Sequence, residues 1–164
     1  FFDLLTRKGL PNHYISCDEA QRTMTVRKAQ WLGLEFICRY KAAGSFVRRY
    51  GKWVKEGKPL AGLVEITVKD DERGDPLIND EGIAALEILS ADQVGKAKNI
   101  VRQAAGLVKE ELSRLGLELI DLKFELGLVD GELMIIDDVS GDNMRVFKEG
   151  KPVDSLELSR LVCP

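Results

Sequence analysis

Only one histidine, His13, occurs in the 164 residues, which excludes a Ser-His-Asp triad or a multi-histidine metal site; a lone ring close to a helix end reads as structural. Cysteine is scarce too. Cys17, Cys38 and Cys163 are odd in number, far apart and in no C-x-x-C, so neither a disulfide framework nor a zinc knuckle is supported and a reducing cytoplasm suits them. No apolar run approaches the ~20 residues that cross a bilayer, and no charged-then-apolar leader opens the chain. Charge of one sign is also missing: 24 Lys and Arg stand against 27 Asp and Glu, a net charge of −3. That balance offers no chain-wide electrostatic reason to expect a nucleic acid or a membrane surface as partner. With 45% hydrophobic and 31% charged residues and no repeats, the composition is that of one globular domain.

The chain opens Phe1-Phe2-Asp3, without an initiator Met and already on helical spacing, and is treated as a candidate fragment. Residues 1–8 predict a short helix stopped by Gly9. Thr23–Val26 and Leu34–Tyr40 predict strands, the second half-buried by its alternation and ended at Gly44-Ser45; Leu63–Val68 predicts another, followed by an acidic, turn-rich loop over 69–81. The longest helix starts at a capping box, Ser90 and Gln93. It carries Val94, Ala97, Val101, Ala104, Val108, Leu112 and Leu115 on one stripe and stops at Gly116. Residues 117–137 predict a hairpin turning at Asp130-Gly131. Strands before and after one long helix, with no regular βαβ units, predict an α+β domain: an antiparallel sheet with packed helices.

The candidate chemistry lies on that hairpin. Side chains two apart on a strand share a face, so Asp121, Lys123 and Glu125 set a cation between two carboxylates. The returning strand ends in Asp137-Asp138. A three-residue loop would put Asp137 opposite Lys123, whereas a two-residue loop would present Asp138. Two carboxylates and a lysine suit a Mg²⁺–nucleotide site, because the hard cation takes carboxylate and phosphate oxygens while lysine neutralises phosphate charge. Charge is also segregated. Residues 27–58 hold nine basic and two acidic side chains and residues 65–81 seven acidic and two basic, and Arg39 precedes a small-residue turn, Ala42-Ala43-Gly44-Ser45, whose N–H groups and hydroxyl could hold a phosphate.

Leu34–Arg39 with Ala42-Ala43-Gly44-Ser45, then Lys69-Asp70-Asp71 with Gly74-Asp75-Pro76-Leu77-Ile78-Asn79, then Leu119–Gly127, and finally Asp137–Arg145 resemble, in order, the motifs of the phosphoribosylaminoimidazole-succinocarboxamide synthase (SAICAR synthetase) family. The resemblance runs from about residue 1 to the 150s. It implies residues 1–164 as the central and C-terminal part of such a domain, with an ATP cleft shared with an N-terminal phosphate-loop lobe that the chain does not contain. It further implies an ATP- and Mg²⁺-dependent ligase of purine biosynthesis that joins L-aspartate to carboxyaminoimidazole ribonucleotide (CAIR) through an acyl phosphate, releasing ADP and phosphate; homo-oligomerisation is left open.

By the family's motifs, Glu125 and Asp137 would hold Mg²⁺–ATP and Lys123 would contact phosphate or the reacting carboxylate. Arg39, Ser45 and Arg145 would hold the ribonucleotide phosphate, and Asp75 would sit near the imidazole or a second Mg²⁺. Tyr40, Asp138 and Gly141 depart from the residues common in the family, Tyr40 replacing an Asn beside the Arg. The alternatives are another ATP-dependent ligase or kinase on the same scaffold, or a domain that binds ligand or partner without turnover.

Overall fold

The structure, a computed structural model, describes residues 1–163. A short helix α1 (Phe2–Arg7) leads into a two-stranded ribbon, β1 (Tyr14–Asp18) and β2 (Thr23–Val26), that stands apart from the main sheet. The main sheet is antiparallel throughout. Its strands are β3 (Gln30–Lys41), β4 (Pro59–Val68), β5 (Glu118–Val129), β6 (Glu132–Ile136), β7 (Met144–Lys148) and β8 (Lys151–Val153). Helix α2 (Gly44–Tyr50) follows β3, α3 (Asp80–Ala85) and α4 (Ala91–Arg114) lie between β4 and β5, and α5 (Ser155–Val162) closes the described chain. The predicted α+β class, with an antiparallel sheet and packed helices, is what forms.

Laterally the order is β4-β3-β5-β7-β8, and β6 also pairs with β5. The 12-residue β5 makes this possible by dividing one edge: residues 125–129 pair with β6, and residues 118–122 pair with β7. Its other edge carries β3 along nearly its whole length.

One sheet face is apolar and lies under α4. Leu34, Phe36 and Cys38 of β3, Leu122, Phe124 and Leu126 of β5 and Ile66 of β4 are buried there with Val94, Ala97, Val101, Ala104, Val108 and Leu112 of the helix. Burial of these side chains contributes roughly 25 cal/mol for each Å² of apolar surface removed from water, which makes this layer the main source of stability. The helix begins as its sequence predicts. Ser90 Oγ accepts from the Gln93 N–H at 3.3 Å and Gln93 Oε1 accepts from the Ser90 N–H at 2.9 Å, so two otherwise unpaired N–H groups are satisfied reciprocally.

Three features differ from expectation. The segment from Gly44 continues as helix α2 rather than as a plain turn, with Phe46 and Tyr50 ring centroids 4.8 Å apart on successive turns. The β5–β6 loop is the two-residue one, Asp130-Gly131, with Val129 opposite Glu132. The three-residue register, with Asp137 directly across from Lys123, is therefore not adopted. Residues 144–162, where the sequence predicts no element, supply β7, β8 and α5. No helix of the described residues is long and apolar enough to cross a membrane.

Candidate functional site

The face of the sheet opposite α4 is polar yet mostly buried, and register alone explains its layout. Antiparallel partners share a face, so the side chains fall into rows across the strands. Thr67, Glu35 and Glu125 form one row; Glu65, Ile37 and Lys123 the next; Leu63, Arg39, Asp121 and Arg145 the third. Above them opens a cleft of about 450 Å³ whose lining includes Arg39, Ser45, Asp75, Asp121, Lys123 and Arg145. Five of the seven predicted site residues, all but Glu125 and Asp137, thus line one cavity.

Arg39 is the floor of the third row. Only 2% exposed, it donates from Nε to Glu65 at 2.6 Å, from Nη1 to Asp121 at 2.7 Å and from Nη2 to Ser45 Oγ at 2.9 Å. Nη1 and Nη2 each carry a second hydrogen beyond these bonds. Arg145 reaches the same Asp121 oxygen from the other side at 2.6 Å. Burial pushes the Asp121 carboxyl above its ordinary value and the Arg145 and Arg39 guanidiniums pull it back, so it is a shared anchor for two cations. Gly44 matters at this point. Its φ is +52°, and a Cβ there would overlap the Arg145 guanidinium, so the absent side chain lets the cation lie beside the Gly44-Ser45 backbone at the start of α2.

The first row is a lysine–carboxylate cluster. Glu35 Oε1 accepts from Lys123 at 3.0 Å and lies 3.4 Å from Lys69, and Glu35 Oε2 accepts from Thr67 at 3.1 Å. Burial alone would raise the Glu35 carboxyl, but the bonds from Lys123, Thr67 and Lys69 bring it below its ordinary value. Glu125 Oε1 is 2.9 Å from Lys69 and 3.9 Å from Lys123, while its Oε2 accepts from Trp31 Nε1 at 2.8 Å. Trp31 reaches it because β3 carries an irregularity between Trp31 and Glu35 and pairs Trp31 with Gly127, where any side chain would strike the Gln30 carbonyl.

Beyond Ile136 the chain turns at Asp137, whose φ is +64°, and the strand register stops applying. Asp138 is engaged elsewhere, since its carbonyl and Oδ1 both accept from Asn143 Nδ2, at 3.1 and 2.6 Å. Asp137 is exposed. Partial burial, then repulsion from Glu125 and from Asp138, pushes its carboxyl up, against the pull of Lys123, so the two predicted metal-holding carboxylates sit within electrostatic reach of each other. A divalent cation would relieve that repulsion, and Mg²⁺ typically uses one or two protein carboxylates with substrate phosphates. No group of three or more His, Cys, Asp or Glu that could hold a metal occurs among the described residues.

Asp75 lies at the cleft rim, half-buried, with φ +50° and Oδ1 accepting from the Asp70 N–H at 2.9 Å. Tyr40, the departure beside Arg39, lies on the opposite face, packed against the core with Lys109 over its ring. It does not line the cleft.

His13 has a part that its isolation in sequence concealed. Buried against Phe2, its Nε2–H donates to the Asp137 carbonyl at 3.1 Å and holds the backbone where the strand ends. Sequence reading also missed Glu35, Glu65, Lys69 and Trp31. The signal available for the first three was the charge contrast, since the basic stretch around β3 and α2 and the acidic stretch from β4 meet here, with Arg39 and Arg49 both on Glu65.

A cleft with a paired-arginine end and a lysine–carboxylate end on one antiparallel sheet has the charge pattern that suits phosphorylated ligands. The family model described as SAICAR synthetase matches residues 1–157. The phosphoribosylaminoimidazole-succinocarboxamide synthase of Clostridium tetani is 43% identical, over 99% of this chain and 73% of its own length; that of Persephonella marina is 34% identical, over 98% and 66%. A solved SAICAR synthetase in complex with ADP superposes with a TM-score of 0.86 at 30% identity, covering 93% of this chain and 66% of that one. The chain belongs to the SAICAR synthetase family, ligases of purine biosynthesis, and spans about two thirds to three quarters of the length of these relatives.

Proposed function

We propose that the cleft serves an ATP-dependent ligation of L-aspartate to the carboxylate of CAIR, with release of ADP and phosphate. One observation carries this reading: the cleft is divided by charge type along a single sheet face, with Arg39, Ser45 and Arg145 at one end and Lys123 with Glu35 at the other, Glu125 standing in the Glu35 row just outside the lining and Asp137 just past the end of β6. Two anionic ligands can then be held at once, a ribonucleotide phosphate at the arginine end and a nucleoside triphosphate at the lysine–carboxylate end. The ADP bound by the solved relative agrees with the second assignment.

Joining an amine to a carboxylate is hard because a carboxylate is a poor electrophile, and phosphorylating it first divides one difficult step into two easier ones. The chain's own contribution is positioning. Arg145 and Ser45 would fix the ribonucleotide by its phosphate, Lys123 at the other end would offset charge on the transferred group, and Asp75 on the rim would lie near the imidazole ring. Glu125 and Asp137 would hold Mg²⁺, whose chemistry is to neutralise charge on the nucleotide phosphates. The unpaired thiols Cys17, Cys38 and Cys163 suit a reducing cytoplasm.

The test is ADP release measured with ATP, CAIR and L-aspartate, and with each omitted. Release at the full rate without CAIR or without aspartate would favour a kinase or a different ligase on this scaffold.

A further inference from the structure

Lys69 has no role assigned by its motif, yet it makes the closest ion pair to the carboxylate proposed to hold the metal. Its Nζ lies 2.9 Å from Glu125 Oε1, about where a cation on that oxygen would sit. The other oxygen is engaged by Trp31, so Lys69 covers the Glu125 oxygen that Trp31 leaves open. Glu125 itself is 6% exposed, and in that surrounding its attraction for any cation is strong.

The attachment of Lys69 is suited to letting go. Its backbone is pinned, with its N–H donating to the Gly33 carbonyl at 2.9 Å, but its side chain is 35% exposed and unbranched. A second partner is in reach: Glu35 Oε1 is 3.4 Å from the same Nζ. An ammonium leaving Glu125 therefore keeps a carboxylate within a short swing and is not stranded without a counter-charge. Lys123, held by Glu35 at 3.0 Å and 3.9 Å from Glu125, stays where it is.

We infer that Lys69 is a built-in counter-ion for Glu125 that keeps free divalent cations off it, so that metal enters only with nucleotide phosphates that supply the remaining ligands. Lys69 is in this sense a specificity-determining residue, for metal–nucleotide over metal alone. The inference rests on the proposed function, which makes Glu125 a metal-holding residue. It also fits the chemistry of the site. With two carboxylates and no third ligating side chain grouped with them among the described residues, a bare ion gains little here against a resident ammonium, whereas a metal already carrying phosphate oxygens needs fewer protein ligands.

The experiment compares the native chain with Lys69→Met, Lys69→Arg and Glu125→Gln, using Mn²⁺ alone, counted by the loss of its free paramagnetic resonance signal, and Mg²⁺–ADP followed by calorimetry. Thermal unfolding confirms that each variant is folded. Native protein and Lys69→Arg are expected to bind Mn²⁺ alone weakly, and Lys69→Met at least about tenfold more tightly, because one unit charge has been removed from beside the carboxylate. Unchanged or weaker Mn²⁺ binding by Lys69→Met overturns the inference. Failure of the underlying reading looks different: Glu125→Gln would then bind Mg²⁺–ADP as the native chain does.

Discussion

Arg39 and Asp121 are register partners on β3 and β5, and their side chains close a 2.7 Å ion pair with both residues no more than 3% exposed. Asp121 also carries Arg145, so one buried carboxylate holds two guanidiniums. Asp121→Ala would leave Arg145 without its carboxylate and the buried Arg39 with Glu65 alone. Breaking a buried pair by removing one partner typically costs about 3–5 kcal/mol. Denaturant unfolding should show a loss of that size, and a loss below about 1 kcal/mol would mean that the pair is already well screened.

Gly44 is where a single methyl group should disturb the arginine end. In Gly44→Ala the left-handed backbone costs roughly 1–2 kcal/mol, and the new Cβ overlaps the Arg145 guanidinium. Calorimetry with CAIR should show binding weakened at least about tenfold on top of that stability loss. Native-like CAIR affinity would mean that Arg145 does not need its place beside Gly44.

The division of the cleft by charge predicts separable variants. Arg145→Ala removes a half-exposed cation with a single carboxylate partner and should weaken CAIR about 10- to 100-fold, the range expected for one charge-assisted hydrogen bond. Its affinity for Mg²⁺–ADP should stay within about twofold. Glu125→Gln should do the reverse. Parallel losses for both ligands in both variants would contradict the separation.

The thiols give a prediction of a different kind. Cys17 and Cys163 are exposed and Cys38 is buried beneath α4, so a thiol reagent at about pH 8 should titrate two groups in the native chain and the third only after unfolding. Burial pushes the Cys38 thiol up from 9.0 to about 11. The folded state therefore binds this proton more tightly than the unfolded state, and the stability it lends is complete below about pH 9 and is lost as the pH rises toward about 11. Burial raises Tyr40 in the same direction. Cys38→Ala should flatten part of that alkaline decline, and an unchanged slope would assign it to other groups.

Local features were legible before the fold was known. The Ser90–Gln93 capping box and the apolar stripe of α4 depend on residues three and four apart, and the alternation of Asp121, Lys123 and Glu125 needs only the period of a strand. Helix α2 was hidden because Gly44 and Ser45 read as the end of a strand, and the Phe46–Tyr50 contact that supports the helix is a single pair. The elements after Asn143 were hidden because each is short and takes its stability from the neighbour it docks on, β7 from β5 and β8 from β7.

What the sequence by itself determined is the fold class, the apolar layer and most of the candidate residues, since these follow from residue type and short-range spacing. Tertiary structure alone decided how those residues are used. The lateral register of β4, β3, β5 and β7 brought Glu65, Arg39, Asp121 and Arg145 together across four strands, and a left-handed turn at Asp137 took over where the hairpin register stopped. The physical reason is that a strand's own period states which face a side chain occupies, whereas its neighbour across the sheet is set by pairing between segments far apart in the chain. Only folding specifies whether Glu125 meets Lys69, Lys123 or Trp31.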